Sequence, residues 1–109
     1  VIDPALDRET ERHIAEQKEW IARDATDARP WYHLALLYRM QGKTAEALGL
    51  LLECVRLDGS HAEAHIALTE MYAVEGDGLA AWRHARQAET AGDGRGVELL
   101  RRHGVKDAT

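Results

Sequence analysis

Two histidines four residues apart, in the run His61-Ala62-Glu63-Ala64-His65, are the first place to look for chemistry. At i and i+4 on a helix, two imidazoles share a face and can hold a divalent metal. The run is not the HExxH of zinc proteases, because its glutamate stands in the wrong place. A metal also needs three or four converging ligands, and no third is near in sequence. His61 falls at a helix start and His65 at a packing position, which weighs against a metal role for either. Gly92-Asp93-Gly94-Arg95-Gly96 could suggest a phosphate cradle, yet it has neither the GxxxxGK[ST] nor the GxGxxG order and no strand leads into it. Turn chemistry explains it better. Cys54 is the single cysteine and has no CxxC partner; it is compatible with a reducing compartment such as the cytoplasm without demanding one. No Ser/His/Asp set and no carboxylate pair stand out from the charged helix faces. The sequence points to no catalytic residue, no metal and no cofactor.

Composition narrows the class further. The chain has 109 residues, 45% hydrophobic and 30% charged, with two prolines and no phenylalanine. That is one ordinary domain's worth, enough for a single core. No apolar run approaches the roughly 18–20 residues needed to cross a bilayer, so no membrane insertion is expected. A net charge of −5 argues against a nucleic-acid partner, whose phosphates are met by basic faces. The charge is uneven: residues 1–27 carry eight acids against four bases, and from Arg83 onward six bases face four acids. The chain opens on Val1 rather than methionine, which reads as an excised or processed piece of a larger protein.

The elements that would position a surface are all helices. Sustained apolar/polar alternation is missing, and helical spacing recurs with recognisable ends. A first helix starts near Asp3-Pro4, with Asp3 as its cap and Pro4 in the first turn, and buries a sparse stripe of Leu6, Ile14, Trp20 and Ile21. A second follows Asp27 and ends at Gly42; Thr44 is expected to cap a third, which stops near Gly59. Ser60 and Glu63 form a capping box for a fourth, running to Gly76. Asp77 caps a fifth, closed by the glycine-rich run, and a short sixth covers 97–103. Residues 106–109 are expected to fray. Loops of about two to four residues force neighbouring helices to lie antiparallel.

Two stretches repeat one another. Trp31-x-x-Leu34-Ala35-x-x-Tyr38, then Gly42, Ala47, Leu51 and Cys54, is followed about 34 residues later by His65, Leu68, Thr69, Tyr72, Gly76, Ala81, Ala85 and Ala88. This skeleton resembles the tetratricopeptide repeat family. The resemblance implies an all-α fold of antiparallel helical hairpins, stacked as a short right-handed superhelix of about six helices. It divides the chain into an N-terminal helix (1–27), a first repeat (28–61), a second repeat (62–95) and a capping helix with its tail (96–109). The small residues Ala35, Ala47, Ala81 and Ala88 let helices approach, and Tyr38 and Tyr72 fill the space beyond. Gly59 and Asp93 stand where the family often has proline. Ala85 is small where bulk is expected, with Trp82 or His84 compensating from a neighbouring turn.

In the family, the first helix of each pair lines an inner face where peptides or proteins lie. The corresponding positions here are Arg29, Tyr32, Leu36, Arg39 and Met40, then Glu63, Ile66, Glu70, Ala73 and Val74. Tyr32, Leu36, Met40, Ile66 and Val74 would form an apolar strip flanked by charge, suited to an adaptable binding surface. Tyr32 and Leu36 replace the Lys and Asn with which some members grip a C-terminal carboxylate, which disfavours that ligand. The expectation is a non-catalytic protein–protein interaction module that binds a peptide or protein segment. The alternative is a structural or homo-oligomerisation element, its inner face covered by its own helices or by the second subunit of a homodimer.

Overall fold

A computed structural model describes residues 3–107. They form six helices, with no strand among them: α1 (Pro4–Arg23), α2 (Ala28–Met40), α3 (Thr44–Leu57), α4 (Ala62–Val74), α5 (Gly78–Thr90) and α6 (Arg95–Arg102). The all-helical expectation holds. The chain divides into two compact units, one ending at Leu57 and one starting at Asp58.

Helix ends follow from side-chain chemistry. A helix leaves its first N–H groups without internal partners, and a carboxylate just before it satisfies them. Asp3 accepts from the Ala5 N–H at 2.9 Å, Asp27 from Arg29 at 3.0 Å and Asp77 from Ala80 at 3.0 Å. At the other ends, Gly42 and Gly76 take φ of 77° and 79°, a left-handed conformation costly to residues with a Cβ. That turn lets the Lys43 N–H reach back to the Tyr38 carbonyl, and the Asp77 N–H to that of Tyr72, both at 2.9 Å. Each bond closes a helix whose last carbonyls would otherwise be unpaired.

Three expected ends are corrected. Ser60 does not cap α4. Its N–H and hydroxyl both turn to the Asp58 carboxylate, at 3.1 and 3.0 Å, and His61 caps instead, its Nδ1 accepting from the Ala64 N–H at 3.1 Å. Thr44 is the first residue of α3 rather than its cap, and the Lys43 carbonyl accepts the Ala47 N–H at 3.0 Å. α6 opens at Arg95, because Asp93 takes both the backbone N–H and the guanidinium of Arg95. Of the tail expected to fray, Asp107 is ion-paired with Arg86, and just ahead of it the Trp82 indole N–H donates to the Val105 carbonyl at 2.9 Å. Residues 108 and 109 lie outside the described part.

In the first unit, α2 packs against α3 and α1 lies on α2. Leu34, Ala35, Ala47, Leu51 and Cys54 are buried between them, a full leucine stabilising by roughly 1.5–3 kcal/mol. Cys54 is inaccessible, as a small apolar residue in that place would be. Trp31 donates its indole N–H to the Ala25 carbonyl at 3.2 Å and fixes the turn after α1. In the second unit, α4 packs against α5, and α6 closes on both. Its core is Ala81, Trp82, Ala85, Val97 and Leu100, with Tyr72, Ala73 and Val105 against it. Ala85 is small for a reason the sequence hid. A Cβ on Gly96 of α6 would lie 3.3 Å from the Ala85 Cα and Cβ and 3.2 Å from the Ile66 Cδ1. The missing bulk is where α6 docks.

Candidate protein-binding surface

The face of interest on α2 is set by the helical period, which brings residues 29, 32, 36 and 39–40 to one side. Arg29 stands at its start and is already engaged. Its guanidinium holds the Asp27 carboxylate through Nε at 2.9 Å and Nη2 at 2.6 Å, and lies 5.0 Å over the Trp20 ring. The guanidinium and the backbone N–H of Arg29 together hold Asp27 down at about 2, well below the ordinary carboxylate range. Tyr32 is half-buried, in edge contact with the His33 ring at 5.5 Å. Leu36 and Arg39 are also half-buried. Met40 is 71% exposed, a flexible apolar side chain standing in water.

The opposite side of α2 is where α1 sits. Lys18 lies 5.7 Å over the Tyr38 ring, and a hydrogen bond to Tyr38 raises its pKa. Gln41 donates to Glu11 at 2.7 Å. Tyr38 and Gln41 are not among the inner-face positions, so the contacts that seat α1 fall largely beside the strip. Arg29 over Trp20 is the exception.

On α4 the corresponding side carries Glu63, Ile66, Glu70, Ala73 and Val74. Here the positions divide. Ile66 is half-buried with its Cδ1 turned to Gly96 of α6, and Ala73 packs against the Trp82 core. Glu63 is exposed and Glu70 half-buried. Val74 is 85% exposed, the most open of the large apolar side chains among the described residues. Met40 and Val74 occupy the same place in the two repeats, as the last residue of each first helix.

His61 and His65, the metal candidates, have other work. His61 caps α4 through Nδ1. His65 is buried, with Nε2 2.8 Å from the Gly59 carbonyl and Nδ1 3.0 Å from Nδ1 of His84. Among the described residues no group of three or more His, Cys, Asp or Glu converges as a metal would need. The His65–His84 pairing escapes sequence reading, since a separation of 19 residues matches no helical period. The capping role of His61 did have a signal: in the repeat alignment it stands opposite Asp27, the cap of α2, as Ser60 stands opposite Thr26. Thr26 bonds Asp24 through N–H and hydroxyl at 3.0 and 2.6 Å, the same turn that Ser60 makes with Asp58.

Nor is any helix among the described residues long and apolar enough to cross a membrane. No curated protein matches the chain. The family model of the tetratricopeptide repeat matches residues 28–71, all of α2 and α3 and α4 as far as Met71. Tetratricopeptide repeats generally mediate protein–protein interaction. With the paired helices, the glycine-closed ends and the buried alanines falling where that motif has them, residues 28–71 belong to the tetratricopeptide repeat family.

Proposed function

We propose that this protein is a non-catalytic binding module that takes a peptide or protein segment on the inner-face side of its first repeat helices. Tyr32, Leu36, Arg39 and Met40 serve on α2, and Glu63, Glu70 and Val74 on α4, with Arg29 and Ile66 holding the edges of the two surfaces. The observation that carries this reading is the exposure of Met40 and Val74, 71% and 85%, at equivalent places in both repeats. Exposure of an apolar side chain at the same place in both repeats supports a contact surface there. Each surface sets its exposed apolar side chain among charged ones, Met40 beside Arg39 on α2 and Val74 with Glu63 and Glu70 on α4. Affinity capture from the native organism's extract, with Met40→Glu and Val74→Glu beside the wild type, tests it. Both substitutions lie on exposed positions and leave the melting temperature within about 2 °C. A partner recovered by the wild type and lost with the variants supports the proposal; one retained by both contradicts it.

A second reading draws support from Ile66 and Ala73, which already pack inside the second unit. On that reading the inner face is closed by the chain's own helices or by a second copy. Light scattering tests the second-copy form of this reading, since a mass that doubles with concentration supports self-association and a constant monomer contradicts it.

A further inference from the structure

The buried pair His65–His84 has no part in the binding surface. The two residues are 1% and 8% exposed, and their rings stack with centroids 5.2 Å apart at 30°. Their protons can be assigned from chemistry. The Gly59 carbonyl only accepts, so His65 Nε2, 2.8 Å away, carries a hydrogen and donates it. A neutral imidazole has one N–H, which leaves His65 Nδ1 as a bare acceptor. The Nδ1–H of His84 therefore donates to it across 3.0 Å. One line of hydrogen bonds runs from α5 through α4 to the turn that opens α4.

Burial and the like charge of Arg83 oppose a positive charge on this line. Tyr72 of α4 stacks flat on His84, 5.6 Å between centroids at 5°. The Thr69 hydroxyl donates to the His65 backbone carbonyl at 2.8 Å rather than to a ring. Arg83, the neighbour of His84 on α5, adds a like charge. The charged residues of α6, Arg95, Glu98, Arg101 and Arg102, are all exposed. In the turn, Asp58 is taken by Ser60 and the His61 Nδ1 by the Ala64 N–H. Burial first, then His65, then Arg83 push the His84 pKa down to about 4. A proton has to enter as a buried cation beside Arg83.

We propose that His65 and His84 form a proton-operated latch, which clamps α4, α5 and the Gly59 turn together while His84 is neutral, and opens the second unit before the first when His84 takes a proton. The folded state favours the neutral ring. The latch therefore contributes fully above the ordinary histidine pKa of 6.5, and its contribution is lost as pH falls from there toward 4. Within that window the opening constant of the second unit rises by up to about tenfold per pH unit.

The test combines the wild type with His84→Asn, whose side-chain amide can sit where Nδ1 was, bond to His65 and never titrate. In the wild type, the His84 ring should titrate near pH 4 by NMR. Between pH 6.5 and 4.5, amides of α4 and α5 should lose hydrogen-exchange protection while those of α2 and α3 keep it. In His84→Asn that pH-dependent loss should disappear. A His84 midpoint near 6.5, a loss of protection equal in both units, or an unchanged pH slope in the variant would each overturn the latch. If His84→Asn does not fold, the two wild-type readouts decide alone.

Discussion

The two units are built on the same repeat but finish it with opposite kinds of helix. In the first, α1 precedes the hairpin: it is 20 residues long, yet Ile14 is its single buried residue. Trp20 and Ile21 are half-buried, and polar and cation–ring contacts add to its seat: Gln41 on Glu11, Lys18 over Tyr38 and Arg29 over Trp20. The Oε1 atoms of Gln17 and Gln41 are buried there without a hydrogen-bond partner in the protein. In the second, α6 follows the hairpin with eight residues, of which Gly96, Val97 and Leu100 are buried. Contact through glycine and alanine brings its backbone close enough for dispersion and apolar burial to act over its whole inner side. Length contributes little to anchoring. Buried area per turn decides it, so the short helix is the tighter one.

The largest test of that contrast is Trp82→Ala. It removes the centre of the second core and the indole bond to Val105, and should cost about 3–5 kcal/mol in denaturant unfolding. A loss under about 1 kcal/mol would mean that α6 is not held by this core. Gly96→Val comes next, at about 1–3 kcal/mol, since its Cβ meets the Ala85 backbone, which cannot swing aside. The matching change on the other helix, Ala15→Val at an exposed site of α1, should stay near 0.5 kcal/mol. Equal losses at the two positions would erase the difference between the caps. Asp77→Ala removes the cap of α5 and should cost about 1 kcal/mol by thermal melting. The smallest effect belongs to the polar seat of α1. Glu11→Ala, which breaks an exposed contact to Gln41, should change stability by less than about 0.5 kcal/mol.

Which parts of this were legible in the sequence follows from the range of the interaction involved. Asp3, Asp27, Asp77, Gly42 and Gly76 mark helix ends through bonds to residues at most five positions away, so local spacing reveals them. Ala35, Ala47, Ala81 and Ala88 were legible as close-packed positions because the repeat keeps small residues there, with Ala47 opposite Ala81, Ala35 opposite Thr69 and Ala88 opposite Cys54, and all four alanines are buried. Ser60 misled because the cap falls one residue later: the Ser60 hydroxyl donates to the Asp58 carboxylate, and the Ala64 N–H goes to His61 Nδ1. Ala85 and Gly96 each read as a departure or a turn; only their meeting across α5 and α6 gives the reason. His65 with His84, and Arg86 with Asp107, are pairs across elements with no period to announce them. On the candidate surface the sequence places Tyr32, Leu36, Met40 and Val74 at inner-face positions. It does not show that Ile66 and Ala73, at positions of the same kind, are drawn into the core by α6.

That division makes α2 the richer surface, with Met40 open and no tight cap over it, and leaves α4 with Val74 at its end. The decisive measurement is the dissociation constant of a captured partner for wild type, Met40→Glu and Val74→Glu, each checked for an unchanged melting temperature. A buried apolar anchor replaced by a charge should weaken binding by tenfold or more, about 1.4 kcal/mol, and more for Met40 than for Val74. Affinities unchanged in both variants, with the fold intact, would contradict the account.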